Sequence, residues 1–476
     1  MHTTSTWRAC LRESRMMANQ HPEDVDCGYD RHLAERYLTE PAMNRQMPEH
    51  SRDPDIALAL LESEVLLDGD PMKNLATFVT TFMEPNAIKV IAANLHRNYI
   101  DHAEYPQTAE ISKRCVRMMH HLFHGDGEPD APGTACAGSS EAVMLGALAM
   151  KWRWKNAREK AGKPADKPNL VYGADVHVVW DKFCRYFDVE PRQVSVPKGS
   201  YVVGADEFQP QIDENTIGVV AVVGTTFTGD CDDVGGIDEM LQHLAGRGLD
   251  VPLHIDAASG GFVFPFSDPD FAWDFRLPSV KSINVSGHKF GLVYPGVGWL
   301  IFRDDDQLPE DLVFYEHYLG ERDATFTLNF SGSSSFVLAQ YYNFIRHGRA
   351  GYASLVRAMN TNCAALAEHL RGMDALELVE GSPRLPLVIA KVRPDEPYTG
   401  SELVGELAKR RGWMVPAYQL PPDNEGQQIL RMLVKINQTR ELVDALADDY
   451  RASIEYLRKR GAGHDVAAPV HTGHGY

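Results

Sequence analysis

Two hydrophobic rhythms alternate along the chain from about residue 53. The stretch "DPDIALALLESEVLLDGDP" repeats its apolar positions at helical spacing behind Asp53 and Pro54, a favourable helix start. A longer helix is predicted by "SSEAVMLGALAMKWRWKNAREKAGK": small polar residues open it, Val143, Leu145 and Leu148 form an apolar face, and cations gather late. Short apolar runs then read as strands: "NLVYG" (169–173), "RQVSVP", "TIGVVAVVGTT" (216–226), "VPLHIDAAS" (251–259), "KSINVS" and "VGWLIFR" (297–303). Helical stretches, "VVWDKFCRYFDV" (178–189) and "IDEMLQHLAGRG", fall between them. The unbroken β-branched run at 216–226 suits a strand buried on both faces. Strands alternating with helices imply right-handed crossovers and a mostly parallel central sheet with helices on both faces.

From about 359 the pattern changes. Helices at "TNCAALAEHLRGM" and "ELVDALADDYRASIEYLRKR" enclose shorter strands at "LPLVIAKV" and "QILRMLVKI". This predicts a smaller C-terminal α+β domain behind the α/β one. The expected organisation is an N-terminal arm and docking helix (1–72), a large domain (73–358) and a small domain with a flexible tail (359–476).

A chain of 476 residues is too long for one simple core, which agrees with that division. Its 44% hydrophobic and 24% charged residues are ordinary for a globular protein. The net charge of −19 argues against a sequence-independent grip on nucleic acid or anionic lipid. An anionic substrate would therefore need a local cationic pocket. Seven scattered cysteines with no CxxC pair signal neither a disulfide framework nor a zinc site, and no metal is expected. The N-terminus lacks a signal-peptide core, and no apolar run is long enough to span a membrane, so a cytoplasmic protein is expected.

Four predicted strand ends carry polar residues, and in open α/β sheets ligands collect at such ends. In "ACAGSSEAVM", Ser139 and Ser140 open a helix whose free N–H groups favour an anion, although plain N-capping explains them as well. "VGTTFTG" places Thr225, Thr226 and Thr228 at a strand end, where turn chemistry is the competing explanation. In "LHIDAASGGF", Asp256 ends an apolar strand before small residues that admit a flat ligand. A buried carboxylate needs a cationic or hydrogen-bonding partner, and a protonated pyridine nitrogen supplies one. In "SINVSGHKFG", Lys289 follows Ser286 and His288; a lysine amine forms a Schiff base with an aldehyde. Phosphate, pyridinium and aldehyde together describe pyridoxal 5'-phosphate.

"HIDAASGGF" followed by "SINVSGHKFG" resembles the pyridoxal-phosphate-dependent group II decarboxylases of the type I aminotransferase fold, in particular the bacterial and plant glutamate decarboxylases. "LDGDPMKNLATF", "NYIDHAEYPQTAEISKRCV", "AQYYNFIRHGRAGY" and "RGWMVPAY" extend the likeness over about 60 to 460. The resemblance implies that Lys289 is the Schiff-base lysine and Asp256 the partner of the pyridine nitrogen. It implies that Ala258 lies against the ring, and that Ser139, Ser140, Ser286 and His288 bind the phosphate. Thr226 would contact the cofactor's oxygens. His177 falls at the ring-stacking position, where glutamate decarboxylases often have glutamine. Arg431 matches the arginine that holds the substrate's α-carboxylate; taken alone, an ion pair would explain it equally. Thr77, Phe78, Asn98 and Asp101 match residues around the distal carboxylate, some contributed by a neighbouring subunit. Ser331 is expected to reach the phosphate of an adjacent subunit, and Gly332 stands where relatives commonly carry arginine.

The implied reaction converts L-glutamate to 4-aminobutanoate and carbon dioxide with uptake of a proton, donated by Lys289 or by Tyr318 in "YEHYLGER". The resemblance also implies dimers assembled into a homohexamer. The tail histidines His464, His471 and His474 could gate the site, with a plain disordered tail as the alternative. Nothing in the tail resembles the calmodulin-binding end of the plant enzymes. Competing readings are decarboxylation of aspartate or an aromatic amino acid, and an inactive cofactor-binding scaffold. A nicotinamide dehydrogenase would need GxGxxG after the first strand, which "CAGSSEA" does not supply.

Overall fold

The computed structural model describes residues 47, 51, 53–126, 132–316, 323–381, 385–420 and 428–461. Tyr318, His464, His471, His474, Cys10, Cys27 and most of the N-terminal arm lie outside the described residues.

The chain divides into two units, residues 1–68 and 69–476. Within the first, helix α1 (Pro54–Val65) starts where the pattern placed it: the Asp53 carboxylate accepts from the amides of Asp55 (3.0 Å) and Ile56 (3.4 Å), and Pro54 occupies the first turn.

The second unit opens with helices α2 (Pro85–Asn94) and α3 (Pro106–Leu122), neither of which the apolar rhythm announced. Next come β1 (Gly133–Cys136), α4 (Ser139–Lys160), β2 (Asn169–Gly173), α5 (Val179–Tyr186), β3 (Glu190–Val194), β4 (Thr216–Val222), α6 (Val234–Ala245), β5 (Leu253–Asp256), β6 (Val280–Ser286) and β7 (Gly298–Phe302). These seven strands form one sheet in the order β1-β7-β6-β5-β4-β2-β3. The strands β3, β2, β4, β5 and β6 run parallel, and β7 runs antiparallel to both neighbours. The connection 287–297 holds no helix, and without a long crossover the chain returns beside β6 in the opposite sense.

Every residue of β4 is buried, as its β-branched run predicts. Val219, Ala221 and Val223 face a core shared with α2, α3 and α6, while Val220 and Val222 face α4 and α5. Helices on both faces carry the strand ends on a rigid layer.

Beyond a short antiparallel pair, β8 (Phe314–Glu316) and β9 (Asp323–Thr325), helix α7 (Ser335–Arg371) runs from the large core to the second sheet. It bends at Gly348, whose φ of 58° glycine adopts without a Cβ clash. The second sheet is antiparallel, β10 (Leu376–Leu378), β11 (Leu387–Val392), β12 (Ala417–Gln419) and β13 (Gln428–Leu433), ordered β10-β11-β13-β12. Helices α8 (Gly400–Arg411) and α9 (Arg440–Arg460) pack with it around a separate apolar core. This is the small C-terminal α+β domain.

Candidate active site

Asp256 ends β5 and Lys289 follows β6, its parallel neighbour. Asp256 is 5% exposed, and its carboxylate accepts from three donors. Its Oδ1 accepts from the Ala258 amide (3.1 Å) and Asn284 Nδ2 (2.9 Å), and its Oδ2 accepts from Trp180 Nε1 (2.9 Å). A second layer fixes the first. His254 lies between Ser282 Oγ (Nδ1, 2.7 Å) and Asn284 Oδ1 (Nε2, 2.8 Å). Because the Asn284 amide nitrogen donates to Asp256, its oxygen must accept, so His254 carries its proton on Nε2 and takes the Ser282 hydroxyl proton on Nδ1. Burial pushes the His254 imidazole below its ordinary pKa, which keeps this chain neutral.

Four residues of this arrangement, Trp180, His254, Ser282 and Asn284, are not among the candidates that the sequence pattern offers. His254 and Asn284 were visible as polar residues inside otherwise apolar strands. Trp180 offered no such signal.

Lys289 Nζ donates to Ser259 Oγ (3.2 Å). Burial brings its amine down to about 8, partly opposed by the Asp256 charge and aided by Arg431. An amine in that range has free base available near neutral pH, as attack on an aldehyde requires. His177 follows β2, and its Nδ1 accepts from the Val179 amide (3.2 Å), leaving the proton on Nε2. Burial, then the Lys289 charge, lowers its pKa.

Ser286 ends β6 with its hydroxyl 2.5 Å from that of Ser139 at the start of α4. The turn into α4 is shaped by Glu141, whose carboxylate accepts from the amides of Ala137 (2.7 Å) and Asn329 (2.9 Å). Gly298 on β7 allows the close approach: a Cβ there would stand 2.4 Å from the Gly138 carbonyl carbon and 2.5 Å from the Ser139 nitrogen. His288 donates from Nδ1 to the Val297 carbonyl (3.1 Å), so its Nε2 is bare when neutral and becomes a donor to an anion once protonated. Ser140, the next residue of α4, is exposed.

The other wall comes from the small domain. Arg431 on β13 is 6% exposed and donates to the main-chain carbonyls of Thr226 and Ala76. Its guanidinium lies 4.8 Å from the Phe78 ring centroid and 5.4 Å from that of Tyr418. Its Nε has no partner, and no carboxylate pairs with it among the described residues. Phe78 also lies 5.4 Å from Lys289 Nζ, so one ring is near two cations. Thr77 Oγ1 accepts from Asn74 Nδ2 (3.0 Å).

The remaining predicted residues form another group. Asn98 Nδ2 donates to Asp101 (3.1 Å), its Oδ1 accepts from the Gly332 amide (3.1 Å), and the Tyr99 amide donates to the Gly332 carbonyl (2.7 Å). This cluster holds the segment carrying Ser331, which is itself exposed. A Cβ at Gly332 would meet nothing within 4 Å among the described residues.

These residues suit pyridoxal phosphate. Asp256 Oδ2 accepts one bond and keeps a lone pair for a pyridinium N–H, Lys289 presents an amine, and α4 presents its start beside Ser139, Ser286 and His288. Fold and site together define a pyridoxal-phosphate enzyme of the type I aminotransferase-like fold. Residues 48–393 match the pyridoxal-dependent decarboxylase conserved domain, and the chain belongs to that family. Among its relatives, a glutamate decarboxylase of Solanum lycopersicum is 46% identical over 439 residues, covering 91% of this chain and 86% of that protein. A glutamate decarboxylase of Aliivibrio fischeri is 41% identical, covering 88% and 91% respectively. The solved glutamate decarboxylase of Lactobacillus brevis superposes with a TM-score of 0.85 at 37% identity, covering 91% of this chain and 98% of that one. The chain is thus a carboxy-lyase that uses pyridoxal phosphate. No helix among the described residues is long and apolar enough to cross a membrane.

Proposed function

We infer that the protein decarboxylates L-glutamate to 4-aminobutanoate and carbon dioxide, consuming one proton per turnover. The observation that carries decarboxylation of an amino acid is Arg431, a buried guanidinium that rests on main-chain carbonyls and aromatic faces, with no carboxylate of the described chain to neutralise it. An unpaired buried cation is costly, and an incoming carboxylate relieves that cost while accepting two parallel hydrogen bonds. The relatives named as glutamate decarboxylases support the same substrate.

Pyridoxal phosphate, when bound, supplies a conjugated ring that accepts the electron pair released from the breaking bond. The chain's own groups do the rest. Asp256, held by three donors, would keep a proton on the ring nitrogen of the bound cofactor. Ser139, Ser140, Ser286 and His288 hold the phosphate, Ala258 and His177 border the ring, and Thr226 contacts its oxygens. Arg431 fixes the α-carboxylate so that the bond between Cα and the carboxyl carbon is the one that breaks. As carbon dioxide leaves, a proton is added at Cα, with Lys289 or Tyr318 as its donor. Thr77 and Phe78 border the distal carboxylate.

Asn98, Asp101 and Ser331 share one cluster, joined through Gly332 rather than to Lys289, which supports a site completed by a second copy of the chain. Homodimers assembled into a homohexamer, in the cytoplasm, form the setting of this reading; analytical ultracentrifugation of the holoenzyme tests the assembly. The reaction itself is tested by carbon dioxide release from L-glutamate at mildly acidic pH with added pyridoxal phosphate. Release from the wild type that vanishes in Lys289→Ala supports it. A holoenzyme that binds the cofactor and releases nothing from L-glutamate sinks it.

A further inference from the structure

The segment from Pro71 to Thr81, which carries Thr77 and Phe78, has no regular secondary structure beyond one short turn, yet it is gripped along its length. On one side the large domain holds it: the Thr80 amide donates to the His288 carbonyl (2.8 Å), and the Thr80 hydroxyl donates to the carbonyl of Lys289 (2.5 Å). On the other side stands the small domain. The Leu75 amide donates to the Met414 carbonyl (3.0 Å), the Leu433 amide donates to the Leu75 carbonyl (3.0 Å), and Arg431 donates to the Ala76 carbonyl. Past the end of β13, Asn437 Nδ2 donates to Thr81 Oγ1 (3.2 Å).

Besides Arg431, a second buried cation holds the segment by a main-chain carbonyl. Lys435 is 5% exposed, and its Nζ donates to the Val79 carbonyl (3.3 Å). It forms no ion pair among the described residues. An apolar side chain would fill the same space without the cost of burying an ammonium, so the position calls for an explanation. Burial alone lowers its amine to about 8, which leaves the group able to hold a proton at neutral pH. The ammonium is a charge-assisted donor to a main-chain carbonyl one residue beyond Phe78.

We propose that Lys435 is a positioning residue for the substrate side of the site: by holding the Val79 carbonyl it sets the position of Phe78, whose ring lies near both Arg431 and Lys289, and of the adjacent Thr77. The proposal rests on the reading of Thr77 and Phe78 as substrate-side residues. It separates two functions along one segment. Thr80 locks the far end to the Lys289 turn, and Lys435 sets the register nearer the substrate. Loss of the Lys435 grip should therefore disturb substrate binding and leave the lysine anchor in place.

The test uses holoenzyme of Lys435→Met and Lys435→Arg beside the wild type. For Lys435→Met the expected result is a KM for L-glutamate raised about tenfold, with kcat within about threefold and the absorbance band of the bound cofactor unchanged. Lys435→Arg, which restores a charged donor, should recover most of the KM. A purely structural role would instead lower the melting temperature and the active fraction while leaving KM unmoved. That result, or an arginine variant as impaired as the methionine one, overturns the proposal. If Lys435→Met does not fold, Lys435→Gln takes its place, with the same readings supporting or overturning. A wild type inactive on L-glutamate sinks the substrate reading separately, and the same KM comparison then uses whichever amino acid the holoenzyme does decarboxylate.

Discussion

Asp256 and Arg431 are both buried and charged, at 5% and 6% exposure, yet the protein treats them in opposite ways. Asp256 sits at a strand end of the large sheet, where the indole of Trp180, the amide of Asn284 and the Ala258 backbone saturate most of its capacity. His254 and Ser282 then fix Asn284 from behind. Arg431 sits on the small domain with a buried Nε unpartnered among the described residues, two carbonyls for its other nitrogens and two aromatic rings at 4.8 and 5.4 Å. The large-sheet side is held in place before any ligand arrives, with one Oδ2 lone pair of Asp256 left for it, as pre-organisation for a resident group requires. The small-domain side is left short of an anion, which suits a ligand that comes and goes.

This contrast can be broken by substitution, and the effects should fall in order. Lys289→Ala removes the amine at the join of the two regions, and carbon dioxide release should fall about 10⁴-fold. Steady-state assay with saturating cofactor checks it. Arg431→Lys keeps the charge and loses the planar fork; kcat/KM should fall about 100-fold, with cofactor retention on gel filtration unchanged. If Arg431→Lys lost the cofactor as well, the two regions would not be separate in function. Trp180→Phe removes one of the three donors to Asp256, an effect of about 1.5–3 kcal/mol for a bond to a charged group. Here the order should reverse: cofactor retention on dialysis weakens about tenfold while the KM for substrate stays near wild type.

The smallest effect concerns a second pair of buried carboxyls, outside both regions. Asp175, two residues past β2, faces Asp232, which accepts from the amides of Val203 (3.1 Å) and Val222 (2.6 Å). Burial raises both, Asp175 from 3.8 to about 6, and their mutual repulsion raises Asp232 further. The folded state therefore binds protons more tightly than the unfolded one. Stability is highest below the ordinary carboxylate range and is lost as pH rises through about 6. Asp175→Asn should flatten that slope and raise the neutral-pH melting temperature by about 1–2 °C, read by calorimetry at pH 5 and 7.

Much of the large domain was legible because its signals are local. The run at 216–226 is long, β-branched and continuous, and the strand at 169–173 was bounded by turn residues. Lys289 and Asp256 stood out as charges closing apolar strands. What was not legible depended on distance along the chain. The antiparallel sense of β7 follows from a connection without a helix, which an apolar run cannot announce. Helices α2 and α3 bury only part of their surface and carry a mixed pattern. Trp180 reads as a core aromatic until the fold brings its indole to a carboxylate 76 positions away. Lys435 reads as a surface cation, and only its burial makes it a question.

The most direct test of the substrate side is a comparison of kcat/KM on one holoenzyme preparation for L-glutamate, L-aspartate and L-tryptophan. A glutamate site predicts a preference for L-glutamate of about 100-fold or more over either competitor, since a site built for one polar group penalises analogues that misplace it. Equal or greater turnover of L-aspartate or L-tryptophan would contradict a glutamate site while leaving the cofactor side, Asp256 and Lys289, as described.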